Sequence, residues 1–258
     1  MTPTIVITGA ASGVGFAAAA SLLSKGWKVF ALDRDETGLA KLRQASASAG
    51  SRLITKVCDV TSPDSVSRTF SDILPAGEPL NALLCSAGVI RIGPVAEMSI
   101  EDYDTQFNIN TRGPWLCAKA ALPALKRTAT EQNPAHVIMI SSISAIRPKV
   151  GSGVYAATKA ALSQLTRVLA VECAADQVLV NAIAPSTINT PFISNIRSAG
   201  SRVGSFKLSG TSPLGRVTEP EDICAVIEFL LSDGARNITG VTLPVDGGTS
   251  AAFIGQSS

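Results

Sequence analysis

Charge is scarce in this chain. Only 16% of its 258 residues are Asp, Glu, Lys or Arg, and 22 basic side chains exceed 20 acidic ones by two. A nucleic-acid-binding surface normally carries a basic surplus, so that class is excluded. Aromatics make up 5%, yet 46% of the residues are apolar, which excludes a disordered chain. No apolar run approaches the roughly 18 residues that a membrane-spanning helix needs. Histidine occurs once, as His136, with no cluster of Cys or acidic residues around it. It is a poor start for a metal site and is expected in a loop or at a strand edge. A Ser-His-Asp hydrolase would have to use it, and no serine sits in a GxSxG turn. Cys58, Cys85, Cys117, Cys173 and Cys224 are scattered without a CxxC pair. They read as buried free thiols of a reducing compartment. No signal-peptide pattern precedes the first strand-like run, so the cytoplasm is the expected location.

What is present is alternation. Apolar, β-rich runs fall at 4–8, 28–32, 52–57, 80–85, 136–141, 178–184 and 241–245. Most are continuous, as in Val137-Ile138-Met139-Ile140, which is how a strand covered on both faces reads. Helix-length segments lie between them, near 14–25, 36–48, 63–74, 101–126, 154–175 and 219–232. Pro63 and Pro220 stand where a first helical turn accepts proline. This order predicts a single α/β domain over 1–258, a Rossmann-like doubly wound parallel sheet of about seven strands. The alternation breaks once, in a Ser/Gly/Asn/Thr-rich stretch at about 187–215. A loop that long inside a compact domain is usually functional, and here it is expected to cover a substrate pocket.

The first strand runs into Thr8-Gly9-Ala10-Ala11-Ser12-Gly13-Val14-Gly15 and then an Ala-rich helix. Gly9 permits a tight turn, Gly13 lets a backbone approach closely, and Gly15 lets the helix pack on the strand. The helix N-terminus then offers N–H groups and a positive dipole end to a pyrophosphate, with Ser12 and Val14 in the same turn. The second strand ends in Asp33, roughly twenty residues on, where a carboxylate can accept from an adenosine ribose and repel a 2′-phosphate. This favours NAD. Arg34 follows and can pair with a phosphate, which keeps NADP open. Asp59, with Val60 after it, stands at the end of the third strand. It either faces an adenine or caps the next helix.

The fifth strand ends in Ser141-Ser142, and Tyr155-Ala156-Ala157-Thr158-Lys159 opens a later helix. Positions i and i+4 share a helix face, so Tyr155 and Lys159 project together. A tyrosine ionises near pH 10, and a neighbouring ammonium is expected to lower that. Ser142 can then hydrogen-bond a substrate oxygen.

On these residues the chain resembles the short-chain dehydrogenase/reductase family over essentially its whole length. Thr8 to Gly15 matches the family's TGxxxGxG turn, and Asn110 in Asn108-Ile109-Asn110 its active-site asparagine. Ser142, Tyr155 and Lys159 match its Ser and YxxxK, and Val180 to Pro185 the segment that leads to the nicotinamide. Thr239-Gly240 and Asp246-Gly247-Gly248 match its last strand and turn. The resemblance implies Tyr155 as acid/base, Lys159 as its modulator and ribose ligand, and Ser142 as the group orienting the substrate oxygen. It implies that Asn110 holds a water, and that Pro185, Ile188 and Thr190 meet the carboxamide and phosphates. Two positions depart from it. Cys85-Ser86-Ala87-Gly88 stands where Asn-Asn-Ala-Gly is common, and Pro185-Ser186 where Pro-Gly is. Ser186 would be strained if that position needs a positive φ.

The expected function is therefore NAD-dependent hydride transfer between a secondary alcohol and a ketone, both small molecules. Runner-up readings are an NADP-preferring carbonyl reductase, a nucleotide-sensing regulator without turnover, and lyase or epimerase chemistry on the same fold. Wide apolar coverage on the helices at 154–175 and 101–126 points to a homo-oligomer, dimer or tetramer.

Overall fold

The computed structural model describes residues 2–189 and 211–251. Its strands are β1 (Thr4–Thr8), β2 (Lys28–Asp33), β3 (Leu53–Val57), β4 (Ala82–Cys85), β5 (Ala135–Ile140), β6 (Val178–Pro185) and β7 (Thr242–Val245). All are parallel, in the order β3-β2-β1-β4-β5-β6-β7. The order reverses between β1 and β4. There the connecting helices leave to opposite faces and open a crevice at the strands' carboxyl ends. In register, Ile5 lies beside Val29 on one side and Ala82 on the other.

The helices are α1 (Gly13–Ser24), α2 (Glu36–Ala45), α3 (Pro63–Ile73), α4 (Ile100–Phe107), α5 (Gly113–Thr128), α6 (Gly153–Cys173) and α7 (Pro220–Leu230). Side chains alternate across each strand, so the sheet feeds two cores. Val6, Phe30, Leu83 and Val137 pack with Val66 and Phe70 of α3, Ala121 and Leu125 of α5, and Leu162 of α6. Ile5, Ile7, Leu84 and Ile138 pack on the other face with Ala18 and Leu22 of α1, Leu39 of α2, and Ile223 and Ile227 of α7. The alanines of α1 and α5 are therefore spent on close helix-to-sheet approach. The five cysteines are buried free thiols, as their scatter implied.

Three expectations need revision. The helix foreseen over 101–126 is two helices joined by a π-helical segment, Asn108–Arg112, that contains Asn110. One extra residue per turn re-aims the side chains there, and such bulges often mark functional sites. His136 is not at a loop or edge. It is 7% exposed inside β5, between Ala82 and Leu179 of the flanking strands. Ser186 carries no left-handed strain, because Gln177 is the only non-glycine with positive φ among the described residues. Its hydroxyl instead pairs with Thr218 Oγ1 at 2.8 Å. That contact, with the parallel bridge of Ile188 to Thr218, ties together the two ends of the long loop. Thr190 and most of the expected substrate loop lie outside the described residues.

Candidate active site

The Gly-rich turn is built by exclusion. Gly9 has φ +71°, and a Cβ there would stand 2.5 Å from the Ala87 nitrogen. A Cβ on Gly15 would run into the Gly9 carbonyl. These two absences bring α1 down onto β1 and set the turn against Ser86-Ala87-Gly88 after β4. Ser12, at the N-cap of α1, is exposed and its hydroxyl makes no capping bond. Gly13 and Val14 begin the helix behind it. The first-turn N–H groups are thus available to an anion.

Asp33 reaches this turn. Its Oδ2 accepts the Ala11 N–H at 3.0 Å and its Oδ1 the Asp35 N–H at 3.0 Å, while Arg34 is exposed beside it. Asp59 is partly committed. Its Oδ1 accepts from the Thr61 N–H and hydroxyl, and the helix after it is capped by Ser62 instead. Val60 is buried against Gly113. Pro185 is buried at the end of β6, and Ile188 is half-buried beyond it. These groups rim the crevice from β3 across to β6.

The second cluster lies at the end of β5. Ser142 accepts the Ser144 N–H at 3.1 Å, and its hydroxyl faces the Tyr155 phenol. Tyr155 and Lys159, one turn apart on α6, are both buried, at 9% and 4% exposure. Lys159 Nζ donates to the Ile140 carbonyl at 2.8 Å and stands 5.8 Å from the centre of the Tyr155 ring. Gly88 sits beside this pair, its missing Cβ 3.7 Å from Lys159 Nζ and 3.4 Å from Asn110 Oδ1. The nucleotide turn and the chemical cluster are therefore neighbours.

Burial governs the electrostatics. It pushes the Tyr155 phenol up to about 12, against a smaller lowering by the Ser142 hydroxyl. It pushes Lys159 down to about 8, because an ammonium loses water there, with the Cys85 thiol pulling the other way. The net displacement of the Tyr155 phenol is upward, where a lowering was expected. Desolvation is the largest influence at this phenol and favours its protonated form.

Asn110 is buried and bonded to protein through both ends of its amide. Its amide nitrogen donates to the Val89 carbonyl (2.8 Å) and Thr158 Oγ1 (3.1 Å), and its oxygen accepts the Val89 N–H (2.8 Å). Both amide protons are spent on protein. The sequence reading passed over Thr158, whose hydroxyl donates to the Tyr155 carbonyl at 2.7 Å. It also passed over Thr111, which donates to the Thr158 carbonyl at 3.0 Å. The residue between two singled-out positions of YxxxK was the available signal. At the entry to α6, Ser152 is buried and bonded to Lys149, while Val150 is exposed.

A dinucleotide-type turn beside a buried Ser-Tyr-Lys cluster defines a Rossmann-type oxidoreductase. A family model described as enoyl-(acyl carrier protein) reductase matches residues 9–250. The chain is 33% identical to L-xylulose reductase of Caenorhabditis elegans over 246 residues, 95% of each chain. It is 32% identical to meso-2,3-butanediol dehydrogenase of Serratia marcescens, covering 96% of this chain and 94% of that one. Among solved structures, 3-ketoacyl-(acyl-carrier-protein) reductase of Brucella melitensis complexed with NADH superposes with TM-score 0.84 at 26% identity, over 96% and 98% of the chains. ElxO with NADP bound gives 0.87 at 26% identity, over 98% and 100%. The chain belongs to the short-chain dehydrogenase/reductase family and is an oxidoreductase of that family.

Proposed function

We propose that residues 1–258 form one domain that interconverts a secondary alcohol and a ketone with NAD, using Tyr155 as the acid/base. The observation that carries this reading is the joint burial of Ser142, Tyr155 and Lys159, with Lys159 against Gly88. The residues present fit a nicotinamide dinucleotide. The α1 N-terminus and the uncommitted Ser12 hydroxyl suit the pyrophosphate, Asp33 the adenosine ribose, and Lys159 the second ribose. When bound, that cofactor supplies or takes the hydride. The chain's own residues handle the oxygen and its proton. Ser142 donates its hydroxyl proton to the substrate oxygen and orients it. Tyr155, held protonated by burial, gives that oxygen a proton in reduction and takes it back in oxidation. Lys159 is steered by the Ile140 carbonyl and keeps its remaining protons for the ribose. Asn110 positions Val89 and Thr158.

An NADP-preferring carbonyl reductase is the second reading. The exposed Arg34, beside the site proposed for the ribose, favours it. The regulator reading draws no support from relatives named as reductases and dehydrogenases. Exposed Trp115 on α5 with exposed Val168 and Val171 on α6 supports a homo-oligomer formed by these helices, checked by sizing. Five buried free thiols suit a reducing compartment, which supports the cytoplasm as the proposed location.

The test follows reduced-cofactor absorbance with NAD and NADP against polyols, diols, hydroxysteroids and cyclic ketones. Tyr155→Phe should lose about 10³-fold in turnover while binding NADH as the unsubstituted protein does. Near-normal turnover in that variant would overturn the mechanism. NADH binding without hydride transfer to any of these compounds would revive the regulator.

A further inference from the structure

Gln106 is fully buried, with 0% exposure, on the last turn of α4. It lies four residues before Asn110. No motif assigns it, and a leucine would fill a helix-to-core position without any polar cost. Gln106 Oε1 accepts the Arg91 N–H at 3.0 Å, and its Nε2 points at Met98 Sδ at 4.0 Å. Asn110 holds Val89 by both its N–H and its carbonyl. Two amides one turn apart therefore grip alternate residues of one extended strip, Gly88 to Gly93.

That strip runs alongside the chemical cluster. At its start, Gly88 lies against Lys159 Nζ and Asn110 Oδ1. At its end, the Gly93 N–H donates to the Gly151 carbonyl at 2.8 Å, four residues before Tyr155. Met98, which receives Gln106 Nε2, also packs on Gly93. Just beyond, Val95 fills the space where a Cβ on Gly153 would lie, so the strip also touches the first residue of α6. The Arg91 side chain pairs with Asp102 at 3.3 Å, but both partners are about half exposed, and such a pair holds little by itself. The central fastening is the buried amide of Gln106.

We infer that Gln106 is a positioning residue: together with Asn110 it sets the Gly88–Gly93 strip as a fixed wall beside the alcohol or ketone. It touches no substrate itself. This rests on the proposed oxidoreductase reading. An N–H left without its acceptor must find water, so the wall would move outward and substrate binding would loosen more than cofactor binding.

The experiment compares Gln106→Met, which keeps the volume and loses the acceptor, with Gln106→Glu, which keeps an acceptor at the same reach. Both are measured against the unsubstituted protein with its best alcohol from the screen. Gln106→Met should raise KM for that alcohol about tenfold, with NADH affinity within about twofold and kcat reduced less than KM rises. Gln106→Glu should recover most of the KM. Hydrogen exchange of peptides covering 88–93 should speed up in Gln106→Met and not in Gln106→Glu. Should Gln106→Met not fold, Gln106→Asn, one methylene too short to reach Arg91, takes its place. Equal KM and equal exchange in the Met and Glu variants overturn the inference while leaving the function intact. If the unsubstituted protein transfers no hydride, the functional reading falls. The exchange result then still decides whether Gln106 fastens the strip.

Discussion

The Asp33 carboxylate accepts the Ala11 N–H at 3.0 Å, joining the end of β2 to the Gly-rich turn. This one bond gives Asp33 two jobs. It shapes the turn, and it places negative charge where an adenosine ribose would lie. Asp33→Ala should therefore lose NAD preference, lowering the NAD to NADP ratio of kcat/KM by about tenfold or more, since a charge-assisted hydrogen bond and a repulsion both disappear. Asp33→Asn separates the jobs, because it retains an acceptor for Ala11 without the charge. An unchanged cofactor ratio in both variants would reduce Asp33 to a turn residue.

Tyr155 and Lys159 are displaced in opposite directions by the same burial, to about 12 and about 8. The phenol is raised, so it stays protonated through neutral pH, the form that ketone reduction would use in the proposed mechanism. Alcohol oxidation needs the phenolate and should accelerate as pH climbs from 7 toward 10. Lys159→Met removes the ammonium 5.8 Å from the ring centre. It should move the oxidation profile to higher pH by about one unit or more. A profile that overlays the unsubstituted one would show that Lys159 positions the site without tuning it.

Much of the sheet could be read from continuous apolar runs, and β1 falls on the residues expected. The chemistry-bearing types at the ends of β1, β2 and β5 were also readable, because motif spacing encodes them. Side-chain commitments were not. Nothing in the sequence shows that the Asn110 amide bonds both the N–H and the carbonyl of Val89 from within the π-helical segment Asn108–Arg112. The direction of the Tyr155 shift was equally hidden. A neighbouring lysine is visible in YxxxK, whereas the desolvation that overrides it comes from residues far apart in the chain. Gln106 and Thr158 escaped notice for a related reason. Each acts on backbone groups, which carry no residue-type signal.

The glycines divide into those that exclude a side chain and those that only need an unusual φ. Gly15→Ala would press its new methyl into the Gly9 carbonyl, which is backbone and has little room to yield. Gly26, just past the end of α1, has φ +89° with nothing within 4 Å of a Cβ. Gly26→Ala should cost only the left-handed strain, about 1–2 kcal/mol. Gly15→Ala should cost more than that and also weaken NADH binding, because the turn and the α1 N-terminus must shift apart. Urea unfolding and NADH titration of both variants check this. Equal stability losses with equal NADH affinity would mean that the turn can relax around a methyl group.

His136 is buried in β5, and burial pushes its imidazole down to about 4 from an ordinary 6.5. The folded chain thus keeps it neutral at a pH where the unfolded chain already binds a proton. A depressed folded value means the contribution is fully present above about 6.5 and is lost as pH falls toward 4. The gap corresponds to about 3 kcal/mol at full development. His136→Leu removes the titrating group at similar volume and should be less sensitive to acid. Urea unfolding of both proteins at pH 7, 5.5 and 4.5 measures the difference. The stability of the unsubstituted protein relative to the variant should fall steadily across that range. A constant difference would mean that the imidazole reaches water or a hidden acceptor and is not held neutral by the sheet.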